Sequence, residues 1–316
     1  MNGRDSGPER YLTQVARTNY SSLIDTWHAA GHTEHARACA QLAVAQGVWT
    51  HPLQRDRDHL ADLTADPLPD PSRFWFVDHL EQRFPEIQAE IRGVLAAPGN
   101  PVQPTVEDDW LLQAGSWRQA YLFRDGRWQE ETCRHLPVTR AILAEIPEVT
   151  TFSPGVILVS RLTPGTRIMP HCGSTNAVLR IHLPITVPPG AWIRVADQTL
   201  TWQEGRCLIF DDSFEHEVGH EGTEDRVVLI LDIAHPDLDQ RHRERLLANR
   251  PSPEERILAF LRQRGIAQVS LCDGDVLLTP EPAMADLADR YLTSAGLAGA
   301  ELDGDQVHWR PAPEPG

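Results

Sequence analysis

The chain has 316 residues, 41% of them hydrophobic, and a formal net charge of −16 with histidine neutral, enough for a large core and a second, smaller unit. So acidic a surface repels phosphate backbones and anionic lipid, which argues against nucleic acid and membrane as partners. Every one of the 29 basic residues is arginine, so mechanisms that need a Schiff-base or P-loop lysine are excluded. The polar start, MNGRDSGPERYLTQ, lacks a signal-peptide core, and no run nears the ~18 apolar residues of a membrane span. Five scattered cysteines without zinc-ribbon or redox spacing fit a reducing compartment. A soluble, cytoplasmic protein is expected.

In chain order, residues 8 to about 48 predict a helical pair broken at Gly31. Tyr11, Val15, Leu23, Trp27, Ala38, Leu42 and Ala43 recur at helical spacing, and Thr33 is a candidate N-cap. Thr50 to Arg73 is proline-rich loop. Phe74 to Val94 returns to helix, with Phe76, Leu80, Phe84, Ile87 and Ile91 on one face. Trp117 to Phe123 alternates as a strand that puts Trp117, Gln119 and Tyr121 together, and Val138 to Glu145 is a short helix. From Ser153 to Ile233 about seven short strands alternate with turns, the pattern of a sandwich or jelly-roll barrel whose mouth holds a ligand. Pro188-Pro189-Gly190 reads as a hairpin turn, with Trp192 to Val195 and Leu200 to Trp202 continuing the sheet. Beyond a helix at Asp237 to Asn249 and a Pro-Ser-Pro boundary, the tail predicts helices at Glu254–Arg264 and Ala283–Ser294 with strands near Val269–Leu278 and Val307–Trp309. The expected organisation is an N-terminal helical segment (1–62), a jelly-roll domain (63–248) and a small α+β appendage (249–316).

The chemistry concentrates in MPHCGSTNAVLRIH (Met169 to His182) and FDDSFEHEVGHEGTEDR (Phe210 to Arg226). From Ala177 the first stretch alternates strictly, so Arg180 and His182 share one strand face opposite Leu179 and Ile181. His171 and His216 project from two different loops. Arg226, Val228, Ile230 and Asp232 share a face of a later strand. Two imidazoles backed by arginines point to a metal beside an anion pocket. Neutral nitrogen ligands with open coordination positions suit iron(II). Iron centres of this kind usually take a carboxylate two residues after the first histidine, where this chain has Gly173. Asp211 and Asp212 are expected to order the loop before His216, with Glu215 and Glu217 facing solvent.

Residues SRLTPGTRIMPHCGSTNAVLRIHLPI, then TWQEGRCLIFDDSFEHEV and Arg226, resemble the aspartyl/asparaginyl β-hydroxylase family. The likeness runs from about Val48 to Asp237 and is densest from Val159 onward. It implies a mainly β fold with flanking helices around a double-stranded β-helix, the jelly-roll or cupin-like core of dioxygenases that use Fe(II), 2-oxoglutarate and O₂ to hydroxylate an unactivated C–H. The resemblance makes His171 and His216 the metal ligands, and matches Gly173 to a glycine in the animal member. Ser160 and Arg226 would hold the distal carboxylate of 2-oxoglutarate, with His182 by its chelating end. Arg180 would face that end or an acidic group of the substrate, and Trp117 and Gln119 would lie on the substrate side. Leu112 and Val178 stand where the animal member has arginines. The expected substrate is a peptide or small-molecule acid, oxidised at the β-carbon of an aspartyl or asparaginyl unit or an equivalent position. A halogenase, with chloride at the open iron position, and a catalytically silent jelly-roll binding protein are the alternatives; the intact Ser160/Arg226 pair argues against the second.

Overall fold

The alternating stretches in the middle of the chain become two antiparallel sheets. The strands are β1 (Leu112–Ala114), β2 (Trp117–Arg124), β3 (Ile157–Leu162), β4 (Arg167–His171) and β5 (Val178–Thr186), followed by β6 (Ala191–Val195), β7 (Gln198–Leu200), β8 (Leu208–Phe210), β9 (His216–His220) and β10 (Arg226–Ala234). One sheet runs β2-β3-β10-β5-β8 and the other β1-β4-β9-β6-β7. Successive strands therefore cross between sheets, which makes a double-stranded β-helix. Pro188-Pro189-Gly190 is accordingly not a hairpin turn: β5 and β6, which it joins, lie in different sheets. β7 ends at Leu200, so Trp202 lies beyond the strand.

Alternation decides which face does what. Leu179, Ile181 and Leu183 of β5, Ile157 and Val159 of β3, and Leu229, Leu231 and Ile233 of β10 form one core cluster on the outer face of the first sheet. Two helices, α3 (Trp75–Ala96) and α4 (Pro137–Ala144), cover that face with Phe76, Leu80, Ile87, Ile91, Ile142 and Leu143, all at most 1% exposed. The opposite face carries Ser160, Arg180, His182, Arg226 and Asp232, and a small apolar patch of Leu158, Val228 and Ile230 with Tyr121 and Val156. That inner face looks toward the second sheet, as the contact between Phe210 of β8 and His216 of β9 shows (ring centroids 5.3 Å).

Two helices precede this barrel, α1 (Gly7–Ala29) and α2 (Thr33–Ala45). Their packed face agrees with the expected one at Trp27 and Ala43 and departs from it at Val15, Leu23 and Leu42. Ile24, Ala36, Ala40 and Ala43 are buried with Val48 and Trp49, whereas Leu12, Val15, Leu23 and Leu42 are exposed. Small alanines let the two helices approach closely, and Leu12, Val15, Leu23 and Leu42 lie outside that contact. The cap of α2 is His32, so Thr33 is its first helical residue rather than its N-cap.

The computed structural model describes residues 7–60, 62–105, 108–150, 155–239 and 242, with strands at 269–272, 275–278, 300–303 and 306–309. Two units are distinguished: Met1–Val102 with Leu111–Ala248, and Gln103–Trp110 with Asn249–Gly316. In the second, β11 (Val269–Cys272), β12 (Asp275–Leu278), β13 (Ala300–Asp303) and β14 (Gln306–Trp309) form an antiparallel sheet in the order β11-β12-β14-β13. The helices expected at Glu254–Arg264 and Ala283–Ser294 lie outside the described residues. Asp237 to Asp239 is not helical, and the rest of that expected helix falls outside them except His242. Among the described residues, no helix is long and apolar enough to cross a membrane.

Candidate active site

His171 ends β4 and His216 begins β9, and the two residues are register partners on neighbouring strands. Their rings stand 4.1 Å apart between centroids. Each Nδ1 lies against a carbonyl two residues back: Met169 O at 2.8 Å for His171 and Phe214 O at 2.9 Å for His216. A carbonyl only accepts, so each Nδ1 carries the proton and each Nε2 keeps its lone pair. Burial pushes the His171 imidazole down to about 4 and the His216 imidazole well below its ordinary value, so both are neutral at neutral pH. Two neutral, oriented imidazoles side by side form a metal-ligand pair whose tautomers are set by backbone carbonyls. Among the described residues, no three His, Cys, Asp or Glu side chains group to hold a metal ion. Burial raises the Cys172 thiol to about 12, and its Sγ is turned toward Leu53 O at 3.9 Å.

Gly173 has a steric reason. A Cβ there would stand 2.4 Å from Oδ1 and 2.7 Å from Cγ of Asp212. The Asp212 carboxylate thus fills the space into which a side chain at 173 would grow. Burial raises its pKa to about 6, with Arg180 acting in the opposite direction. The guanidinium of Arg180 is held by Asp212 Oδ2 (3.1 Å) and by both oxygens of Asp232 (2.9 and 3.1 Å). Arg180 is therefore already paired with two carboxylates on the wall, rather than presented as a lone cation to an acidic substrate. Asp212 does more than order its loop, a task that Asp211 performs by accepting from the N–H and Oγ–H of Ser213 (3.0 and 2.6 Å).

Arg226 is in the opposite condition. Its side chain is among the largest that are fully buried, and burial lowers its pKa to about 9 with no carboxylate acting on it. Its guanidinium lies 4.1 Å over the Trp202 ring, Nη1 donates to Ser160 Oγ at 3.4 Å, and Nε has no hydrogen-bond partner. Trp117 Nε1 also donates to Ser160 Oγ (3.1 Å), so Ser160 accepts twice and keeps its own proton to give. Trp202 also donates from Nε1 to His182 Nδ1 (3.2 Å), which puts the His182 proton on Nε2. Burial, with Arg226 and Arg180 nearby, keeps that imidazole neutral. Trp202 thus bridges Arg226 and His182, a role that its place beside a strand does not reveal in the sequence. Gln119 is the register partner of Ser160 and accepts from the Tyr121 hydroxyl (3.1 Å). The arrangement therefore brings Ser160, Arg226 and Trp117 together, sets His182 beside Trp202, and pairs His171 with His216.

The surroundings of His216 differ from the solvated loop expected there. Glu215 does not face solvent: it is 8% exposed and is bound by Arg55 (2.5 Å), Arg194 (2.8 Å) and His28 (3.2 Å). Burial alone would raise its pKa, but His28, Arg55 and Arg194 outweigh it and hold the carboxyl far below its usual range. Glu217 pairs with Arg194 at 2.5 Å. His28 and Arg55 come from the N-terminal helix and the proline-rich loop, and nothing in their local spacing marks them. His235 is a structural group that contacts Thr64 O and the Asp237 N–H (each 3.2 Å).

Residues 81–236 match the family model described as Aspartyl/Asparaginyl beta-hydroxylase. Over 233 residues the chain is 36% identical to the human aspartyl/asparaginyl beta-hydroxylase, an alignment covering 72% of this chain and 30% of that protein. It is 33% identical over 184 residues to the ornithine lipid ester-linked acyl 2-hydroxylase of Rhizobium tropici, covering 56% of this chain and 63% of that one. The chain thus spans less than two thirds of the length of either relative. Among solved structures it is similar to the Schizosaccharomyces pombe Cnp3 cupin domain, with a TM-score of 0.27 and 11% identity over 41% of this chain and 69% of that one. Through residues 81–236, this chain belongs to the aspartyl/asparaginyl β-hydroxylase family.

Proposed function

We propose that the chain is an Fe(II)- and 2-oxoglutarate-dependent dioxygenase that hydroxylates an unactivated C–H. The observation that carries this reading is Arg226. A guanidinium withdrawn from water without a counter-charge costs several kcal/mol, and a fold keeps it when a ligand supplies the missing anion. A carboxylate on Arg226 would satisfy the orphaned Nε and accept the proton that Ser160 retains. Guanidinium and carboxylate match as a planar fork. The distal carboxylate of 2-oxoglutarate fits that role, beside the Trp202 ring that lies under the guanidinium.

The histidine pair fits iron(II). His171 and His216 would hold it through the two Nε2 atoms, with no protein carboxylate completing the set. Bound iron, with 2-oxoglutarate and O₂, supplies the oxidising power for the C–H bond. The residues of the chain bind and orient. Arg226 and Ser160 grip the co-substrate's far end, the Trp117 indole N–H holds the Ser160 hydroxyl in place, and Trp202 fixes the His182 tautomer so that its Nε2–H is available to an oxygen. Buried Phe210, Trp202 and Ile230 exclude water.

The substrate belongs to the same proposal: an aspartyl or asparaginyl unit of a peptide, or a small acid, oxidised at the β-carbon. Gln119 offers a carboxamide for its polar group and Trp117 an aromatic wall. Arg180, paired as it is, still has a side chain 26% exposed and is the cation at that end of the barrel. The test is Arg226→Met. The variant loses 2-oxoglutarate binding by about 2–5 kcal/mol in calorimetric titrations and melts at a higher temperature than wild type without ligand, because an uncompensated charge has gone. Unchanged affinity for 2-oxoglutarate overturns the assignment of the pocket.

A further inference from the structure

The loop at residues 51–60 lies outside the stretch matched by the family model, yet it is bonded to the segment that follows His171 at the end of β4 and to the one that precedes His216 at the start of β9. After His171, Ser174 O accepts from the N–H groups of Arg57 (3.0 Å) and Asp58 (2.9 Å). Thr175 Oγ donates to Asp58 O at 2.9 Å. The Asn176 carboxamide closes a ring on Leu60, with one bond of 2.8 Å in each direction. Before His216, the Arg55 N–H donates to Ser213 O (3.2 Å) and the Glu215 N–H to Leu53 O (2.5 Å). Gln54 Nε2 donates to Ser213 Oγ at 3.0 Å. Between the two sides the Arg55 guanidinium, 2% exposed, meets Glu215 at 2.5 Å.

We propose that residues 53–60 are a clasp that sets the spacing of His171 and His216, and that Arg55, acting through Glu215, is a positioning residue for the two-histidine metal centre. This rests on the iron reading above. A centre with three or four protein ligands tolerates one that wanders. A centre with two loses its grip as soon as one imidazole turns, so its affinity depends on how firmly both loops are held. Glu215 and His216 are consecutive in an extended segment and project to opposite faces. Three partners on Glu215, the guanidinium groups of Arg55 and Arg194 and the ring of His28, therefore fix the peptide from which the His216 ring departs. The Ala196 N–H, donating to Glu215 O at 2.9 Å, ties the same peptide to the end of β6. On the other side, the bonds to Ser174, Thr175 and Asn176 hold the segment that follows His171. Arg55 touches neither metal nor substrate; it acts only through what it holds.

The experiment is titration of the full chain with cobalt(II), followed by its visible absorption. Binding that His171→Ala abolishes shows the probe at the histidine pair. Arg55→Gln is expected to weaken cobalt affinity about 10- to 100-fold and to alter the absorption bands, while circular dichroism stays that of wild type. Arg55→Lys, which returns a cation to Glu215, recovers most of the loss. A folded Arg55→Gln with wild-type affinity and bands overturns the clasp. Where Arg55→Gln does not fold, Asn176→Ser decides: it unhooks the other end without leaving a buried charge, and the same loss of affinity supports the clasp while unchanged affinity overturns it. Cobalt binding that survives His171→Ala overturns the metal reading and the clasp with it. Loss at His171 without a response at Arg55 or Asn176 overturns the clasp alone.

Discussion

At the scale of single residues, the site is a contrast between charges that are paired and one that is not. Arg180, Arg55 and Arg194 each hold carboxylates, whereas Arg226 waits for one. Asp211 adds a titratable group of another kind. Burial, with Asp212 and Asp56 nearby, raises its pKa to about 8, although Ser213 donates to it. Its folded value therefore lies above its unfolded value, so the folded chain binds a proton that the unfolded chain has released between those two values. The stability this contributes is complete below about pH 4 and is lost as pH rises through about 8. Across pH 5 to 8, urea denaturation should show wild type losing stability relative to Asp211→Asn by up to ~1.4 kcal/mol per pH unit; parallel curves would refute it. The residues that alternation or context could reveal were legible: Arg180 and His182 on one face, and His171 with His216. Glu215 was not, because a Glu-His-Glu run reads as a solvated loop, and only partners far away in sequence make it a buried one. Trp202 was hidden for the converse reason. An aromatic beside a strand reads as core, and its guanidinium partner arrives from a later strand.

At the scale of elements, strands were more legible than their connections. Two-residue alternation marks β5 and β10, and their faces fall where the pattern puts them. The pattern is silent on which sheet a strand joins, so Pro188-Pro189-Gly190 reads as a hairpin although it bridges two sheets. Helices α1 and α2 show the opposite failure. Their period is visible, but the exposed Val15, Leu23 and Leu42 pull the expected face away from Ala36 and Ala40, which pack. The turn after β4 allows a sharper test. An aspartate at position 173 would install the carboxylate that iron centres of this kind usually carry, but its Cβ would stand 2.4 Å from Asp212. Gly173→Asp should therefore destabilise by ~1–3 kcal/mol through overpacking, with like-charge repulsion added. Asp212→Ala in the same chain should restore much of the loss. A double-mutant cycle in urea measures this coupling, and strictly additive losses would show that the two positions do not compete for space.

At the scale of the whole molecule, contacts group residues 1–102 with 111–248 and draw no boundary at residue 62. A proline-rich loop at 50–73 looks like a linker, yet its first part is among the most heavily bonded segments around the histidines. Two truncations follow. A chain ending at Ala248 should keep the near-ultraviolet circular dichroism of the barrel, since residues 111–248 group with 1–102. A chain beginning at Leu63 keeps every residue matched by the family model but loses Arg55, and should lose that signal. If the second truncation were native-like and the first collapsed, the organisation described here would be inverted. The clasp also has a consequence in time. Arg55 and Glu215 are 160 residues apart, and at ribosomal speeds of ~5–20 residues per second the first waits roughly 8–32 s for the second to be made. Helices α1 and α2 can pair while the chain is still emerging, but the histidine pair cannot be fastened until both sheets exist. On the proposed two-histidine reading, metal capture would come at the end of synthesis, when a nearly finished barrel is there to receive it.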